Sequence, residues 1–358
     1  MTKCLVAFIT SLTILVFIAG CPPGKPDTKP PKAEPNEIEP TKTEPNEVEP
    51  TKAEPNEVEP TKTEPNEVEP TKTEPNDVEP TKTEPNDVEP PKPKPLTKVS
   101  FHDKCAGILK TFVNNKGMIN YKKLRYKKPD LNKLLNEFAK LDPNEYNAWP
   151  KEDKIAFWLN AYNIKMLKII VDNYPIESYR LLRMFPGWGP NSIRHIDKRI
   201  GGIGKQKFIV RGEEFTLSEV ERRFFRKQFD EPRVFFAISG ACLSSPPLRN
   251  EPYYGHKLYK QLDDQTKRFL SSPYAFKIDR DKQTVYLSAI LQPTWYGKEF
   301  ISKYGTDKKF KDQQPATQAV LNFLTNYISR RDVSFLELKN YSVKPIKYDW
   351  TINDSSKK

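Results

Sequence analysis

The sequence predicts an α+β fold: a single mixed domain of helices around antiparallel hairpin strands, preceded by a disordered proline-rich tether. Three observations predict it. Residues 31–90 form a repeat too poor in apolar side chains to bury a core. Residues 98–354 carry enough apolar and aromatic side chains for one core and have no low-complexity break. Strand signals within that stretch arrive as hairpins among helices, without the βαβ alternation of a parallel sheet.

The first 20 residues read as a cleavable export signal. Lys3 gives a basic start, Leu5 to Ala19 an uncharged and mostly apolar run, and Ile18-Ala19-Gly20-Cys21 sets small side chains before a cysteine. The run is short for a bilayer span of about 20 residues. The pattern is similar to the bacterial lipobox, in which Cys21 is the lipidated residue and the mature N-terminus. The chain is therefore expected in the cell envelope, anchored to a membrane through its N-terminal lipid. Pro22 stands where an aspartate is associated with inner-membrane retention in enterobacteria, which favours the outer membrane.

Residues 21–97 read as a disordered linker rich in proline, glutamate and lysine. Within it, residues 31–90 repeat a ten-residue unit six times, typified by Thr41-Lys42-Thr43-Glu44-Pro45-Asn46-Glu47-Val48-Glu49-Pro50. The prolines remove backbone donors and hold φ near the polyproline value, so a stiff, solvated spacer is expected. At about 3.1 Å per residue it reaches on the order of 200 Å. A solenoid would need apolar positions to stack, and usually periods of 20 residues or more. A docking motif for a partner is the lesser reading of such a segment.

Charge divides the chain. The first 90 residues sum to −10, which leaves +22 for residues 91–358 of a chain at +12. An acidic stalk thus carries a basic head, whose expected partners are anionic cell-wall polymers, lipopolysaccharide or phospholipid headgroups, or its own stalk. Export makes nucleic acid an unlikely partner.

The head can be placed element by element. Ile155, Leu159, Tyr162, Met166 and Ile169 recur at helical spacing, so Asp153 to Asn173 is a helix that ends before Pro175. Lys207–Val210 and Glu214–Thr216 flank Arg211-Gly212-Glu213 as a hairpin. Thr216 and Glu219 form a capping box that opens a helix to about Gln228. Val234 to Ser239 reads as a buried strand that breaks at Gly240. Gly255 to Ser271 is helical, Phe276–Asp279 and Thr284–Ser288 form a second hairpin, and a last helix runs from Pro315 to Ser329.

The head resembles the domain-of-unknown-function 547 family. The resemblance lies in Ala156-Phe157-Trp158-Leu159-Asn160-Ala161-Tyr162-Asn163, in Ser192-Ile193-Arg194, in Thr216-Leu217-Ser218-Glu219-Val220-Glu221 with Arg226, in Pro232-Arg233-Val234 leading to Ser245-Pro246-Pro247-Leu248-Arg249, and in Tyr348-Asp349-Trp350. The order of these motifs over the head is what is specific. The family has no established reaction. Its bacterial members carry histidines at the positions of Arg222 and Phe235 and cysteines at those of Gly240 and Ser245, so any thiol–imidazole chemistry in relatives would be lost here.

Candidate chemistry is thin. Ser244 and Ser245 follow the expected strand, but a serine before two prolines is more often a turn residue. Asn160 and Asn163 share one face of an apolar helix, where buried amides either pin a loop or point into a cleft. Glu221 and Arg226 are expected to form a partly buried ion pair. Cys105 and Cys242 could pair as a disulfide in an oxidising compartment, though two free buried thiols are the favoured reading. His102, His195 and His256 are isolated, so no metal site is indicated, and no cofactor is implied. Gly201-Gly202-Ile203-Gly204-Lys205 lacks the first glycine and the hydroxyl residue of a phosphate loop. The expectation is a binding or scaffold module; the alternative is a hydrolase acting on cell-wall or peptide substrates through the Asn160, Asn163, Glu221, Ser244 and Ser245 region.

Overall fold

A computed structural model of the chain describes residues 100–306 and 308–356. The export signal, Cys21 and the repeat lie outside the described residues. Helix α1 (Lys128–Lys140) starts with Pro129 in its first turn and buries Leu131, Leu134 and Phe138 along one side. Helix α2 (Lys151–Asp172) carries Glu152 and Asp153 at its positive end. Apolar residues surround α2 on every side, and it is buried from Ile155 to Val171 apart from Lys165 and Lys168. A helix apolar all round belongs inside the domain, and α2 is its axis.

Strands β1 (Lys207–Val210) and β2 (Glu213–Thr216) pair antiparallel. The turn between them takes Arg211 and Gly212 through positive φ, 53° and 76°, the backbone that matches the twist of a two-residue hairpin. Their amides donate to the carbonyls of Phe138 and Ala139 at 2.9 Å, so the hairpin satisfies the open end of α1. The Thr216–Glu219 capping box opens helix α3 (Leu217–Val220). From Glu221 to Gln228 the helix widens to π geometry, with Phe229 N donating to Phe224 O at 3.0 Å. The widened turn buries both Phe224 and Phe225.

The strand expected over 234–239 does not form. Pro232–Phe236 is a 3-10 turn with Pro232 in its first turn and the Glu231 side chain accepting from Arg233 N. Val234 to Ile238 are all buried, but a short apolar run without alternation does not distinguish a strand from a buried turn. Asn163 supplies the pairing that a neighbouring strand would have given, as described below.

Helix α4 (Leu258–Leu270) precedes β3 (Phe276–Asp279) and β4 (Thr284–Leu287), an antiparallel hairpin. The last helix expected to Ser329 is instead two. Helix α5 (Pro315–Leu324) stops early, and Ser329 caps α6 (Arg330–Glu337) by accepting from Asp332 N. Strand β5 (Ser342–Pro345) then pairs with β4 in parallel, so the antiparallel expectation holds for the hairpins but not for this edge. The fold is α+β, with one two-stranded and one three-stranded sheet among helices.

Two apolar clusters form the interior. One surrounds α2; the other joins Phe236 and Phe269 to β4, α5 and α6. Tyr296 and Tyr348 pack against both. The C-terminal segment is held to the first cluster by bridges from Ser192 to Thr351 and from Cys242 to Ile352. Among the described residues no helix is long and apolar enough to cross a membrane.

Candidate functional site

The two asparagines of α2 are spent on the fold. Asn160 holds Tyr253 from both sides, its Oδ1 accepting from Tyr253 N and its Nδ2 donating to Tyr253 O, each at 2.9 Å. Asn163 does the same for the 3-10 turn, donating to Ala237 O and accepting from Ser239 N at 2.9 Å. Both amides are buried and pin loops; neither opens into a cleft.

The contacts of Asn160 also fix the state of His102. With Nδ2 identified as the donor, its 3.3 Å contact makes His102 Nδ1 an acceptor, so the ring proton sits on Nε2 and faces Asp153 Oδ1 at 3.2 Å. Burial lowers the affinity of this histidine for a second proton, against the opposing pull of Asp153. His195 is likewise committed, Nδ1 accepting from Tyr179 N and Nε2 lying within reach of the Trp188 and Gly189 carbonyls.

Ser244 and Ser245 are turn residues. Ser244 Oγ accepts from Asp349 N at 2.7 Å, and Ser245 Oγ donates to Cys242 O at 2.7 Å. Neither is hydrogen-bonded to any of the three histidines. Cys105 and Cys242 are separate, free, buried thiols. Burial pushes Cys105 up to about 12 and Cys242 up to about 11, the opposite of what an attacking thiolate needs.

The expected Glu221–Arg226 ion pair is replaced by two separate arrangements. Arg226 pairs with Glu299 and donates to Trp295 O, its guanidinium lying over the Tyr296 ring at 5.0 Å. Glu221 accepts instead from the hydroxyls of Tyr162 at 2.8 Å and Tyr296 at 3.0 Å. Burial raises its carboxyl above the usual range, with the two hydroxyls and the Arg226 charge opposing. The widened π turn begins at Glu221, so the carboxylate and guanidinium leave the helix toward different neighbours.

The glycine-rich turn cradles no phosphate. Its amides are taken by the preceding helix, Gly202 N donating to Asp197 O and Ile203 N to Asp197 Oδ1. Among the described residues, no group of three histidine, cysteine, aspartate or glutamate side chains could hold a metal ion.

What does converge is a pair of motifs whose side chains carried no chemical expectation of their own. A cavity of about 390 Å³ opens where Ser192-Ile193-Arg194 meets Tyr348-Asp349-Trp350, lined by Gly187, Ser192, Tyr274, Lys347, Asp349 and Trp350 among others. Arg194 stands against its wall, its guanidinium 4.4 Å from the Trp188 ring centre and 5.6 Å from that of Trp350. Among the described residues no carboxylate lies within ion-pair distance of it. Gly187, at φ +80°, permits this approach, since a Cβ there would meet Trp350 and Arg194 at 3.0–3.1 Å. The sequence did carry a signal: Trp188 stands between two glycines, Gly187 and Gly189, which leave room for another side chain to approach its ring. A larger groove of about 600 Å³ beside α1 is lined by matched charges, such as Lys104 with Glu137 at 2.6 Å.

The family model described as "Protein of unknown function, DUF547" matches residues 146–270. No curated protein and no solved structure matches the chain. The matched stretch holds α2, the first hairpin, the π-widened helix and the Ser192-Ile193-Arg194 side of the cavity, while Tyr348-Asp349-Trp350 lies beyond it. Over residues 146–270 the chain is thus similar to the domain family of that description.

Proposed function

We propose that this chain is a lipid-anchored envelope protein whose basic domain binds, or scaffolds on, an anionic component of the cell envelope. The observation that carries the reading is the division of charge, −10 over residues 1–90 and +22 over residues 91–358. The commitment of the nominated amides, hydroxyls and thiols to internal contacts supports binding over catalysis. In this reading Cys21 carries the lipid, residues 21–97 are the spacer, and the head meets its partner at a distance from the anchor.

The test uses the exported chain with Cys21→Ser, purified without its lipid. Saturable co-sedimentation with purified anionic wall polymer or lipopolysaccharide at low salt, weakened at high salt, is the expected result. Absence of saturable binding at low salt to every such polymer removes the reading. Incorporation of labelled palmitate into the wild-type chain, lost in Cys21→Ser, tests the anchor separately.

A second reading, a hydrolase acting on wall or peptide substrates, draws on one observation, the raised carboxyl of Glu221. Release of soluble fragments from wall material by the wild-type chain but not by Glu221→Gln would favour it over binding.

A further inference from the structure

We infer that the exposed 3-10 turn Arg180–Met184, with Tyr179 and Phe185 at its ends, docks the domain on an anionic phospholipid surface. The inference goes beyond the binding reading above. That reading rests on the charge of the whole head and this one on a single turn, so either can fail alone.

The first argument is a concentration of apolar exposure. Leu181 is 81% exposed, Met184 80% and Phe185 51%, and Tyr179 is exposed as well. Of nine large apolar or aromatic side chains exposed among the described residues, these four fall within seven consecutive positions. Single apolar side chains on a surface are ordinary, whereas a contiguous cluster marks an interaction site. In a 3-10 helix, side chains three positions apart eclipse. Leu181 and Met184 therefore stand together on one face and Arg180 and Arg183 on the next, while Leu182, half-buried, turns toward the domain. The turn is held in this posture. Tyr179 N donates to the buried His195 at 3.2 Å, Phe185 N to Leu182 O at 3.0 Å, Trp188 N to Phe185 O at 3.2 Å, and Arg183 Nε to Ser178 Oγ at 3.0 Å.

Charge identifies the occupant. From Tyr179 to Ile196 the chain carries Arg180, Arg183 and Arg194 and no acidic residue. Arg180 and Arg183 are exposed, and among the described residues neither has a carboxylate within ion-pair distance. Glu177, the acid that precedes them, is paired with Arg199 at 2.8 Å. Lys198, also exposed, lies over the Tyr179 ring at 5.9 Å and adds a third cation to this side. An anionic bilayer presents phosphates for the guanidinium groups and, just beneath them, an acyl boundary for leucine, methionine and phenylalanine. A folded partner would need a groove matched to this turn; a bilayer needs only that the side chains project.

The test is co-sedimentation of the Cys21→Ser chain, without residues 1–20, with vesicles of phosphatidylcholine alone or mixed equally with phosphatidylglycerol. We expect saturable binding to the mixed vesicles, at least tenfold stronger than to phosphatidylcholine alone. Leu181→Ser with Met184→Ser should weaken it at least tenfold, and Arg180→Gln with Arg183→Gln should weaken it and reduce its dependence on salt. Leu338→Ser, which removes a side chain 73% exposed just after α6, should leave it unchanged. With the native thiols buried, a polarity-sensitive dye on Met184→Cys should shift to the blue on the mixed vesicles, and the same dye on Leu338→Cys should not. Failure to bind the mixed vesicles overturns the inference. So does binding that survives Leu181→Ser with Met184→Ser, which would be adsorption of the basic head by charge alone. Self-association of the chain that is lost in this double variant, without vesicle binding, would make the turn a contact between copies and overturns it too. Saturable polymer binding without vesicle binding leaves the proposed function standing and sinks this inference alone; vesicle binding of the expected kind without polymer binding does the opposite.

Discussion

The thiol of Cys242 donates to the hydroxyl of Tyr348 at 3.4 Å, which ties the loop after the 3-10 turn to the C-terminal segment. Cys242 N also donates to Ser245 Oγ, and Cys242 pairs with Ile352 across an isolated bridge. The thiol is therefore a packing element. At pH 8 a thiol raised to about 11 is ionised in about one part per thousand, and only 1% of the residue is exposed. In a Cys21→Ser chain without residues 1–20, the native protein should leave both Cys105 and Cys242 unreacted with Ellman's reagent over hours, whereas the denatured chain should release two equivalents in minutes. Rapid labelling of native Cys242 would contradict this packing.

His102 should make stability depend on pH in one direction. Its folded affinity for a proton is lowered, so below its ordinary value of 6.5 the unfolded chain binds more protons than the folded one. Stability therefore rises with pH through this range and falls as pH drops below about 6.5. Burial drives the effect, His256 adds to it, and Asp153 and Asp103 oppose it. Urea denaturation of the wild-type chain and His102→Gln at pH 5 and pH 7.5 checks it: the substitution should flatten the difference between the two values. An unchanged pH slope in the variant would mean that His102 is already protonated in the fold.

Glu221 carries the opposite linkage. Because its carboxyl is raised, its contribution is fully present below the ordinary carboxylate value and is lost as pH rises through the folded value. Glu221→Gln should remove that penalty, because each tyrosine hydroxyl can turn to accept from the amide. A gain in stability at pH 7 is expected, shrinking toward pH 4, read from denaturation midpoints at fixed m-value. A loss of stability at pH 7 would show that the ionised carboxylate, with Arg226 nearby, is the favoured form.

Local signals in the sequence translated directly into structure. Thr216 and Glu219 are three residues apart, and their reciprocal bonds form as the spacing requires. Arg211-Gly212 accepts the positive φ of its turn, and the apolar surround of α2 demands burial wherever that helix goes. Features set by partners distant in sequence were not legible in this way. Whether Asn163 faces a loop or a cleft depends on Ala237 and Ser239, 74 and 76 positions away. The Glu221–Arg226 ion pair expected from the sequence does not form, because the π turn and the arrival of Tyr296 and Glu299 separate the two side chains. Strand β5 has Lys344 and Pro345 among its four residues and carries little strand signal of its own; it forms because β4 offers it an edge. The cavity lies between segments more than 150 positions apart, so its motifs could be read singly but not joined.

The strongest test of the fold is Asn163, because one side chain there replaces a strand partner. Its amide satisfies a buried carbonyl at Ala237 and a buried N–H at Ser239. Alanine leaves both without partners inside a packed region that water cannot readily enter. An orphaned buried polar group costs about 1–3 kcal/mol, so Asn163→Ala, which orphans two, should lose about 2–6 kcal/mol in urea denaturation. Asn160→Ala orphans the two backbone groups of Tyr253 and releases the contact to His102, so it should show a similar loss and also shift the pH response assigned to His102. Asn163→Ala, which touches no titrating group among the described contacts, should lower stability by the same amount at pH 5 and pH 7.5. A pH-dependent loss at Asn163, or a pH-independent one at Asn160, would separate these amides from the roles the contacts give them.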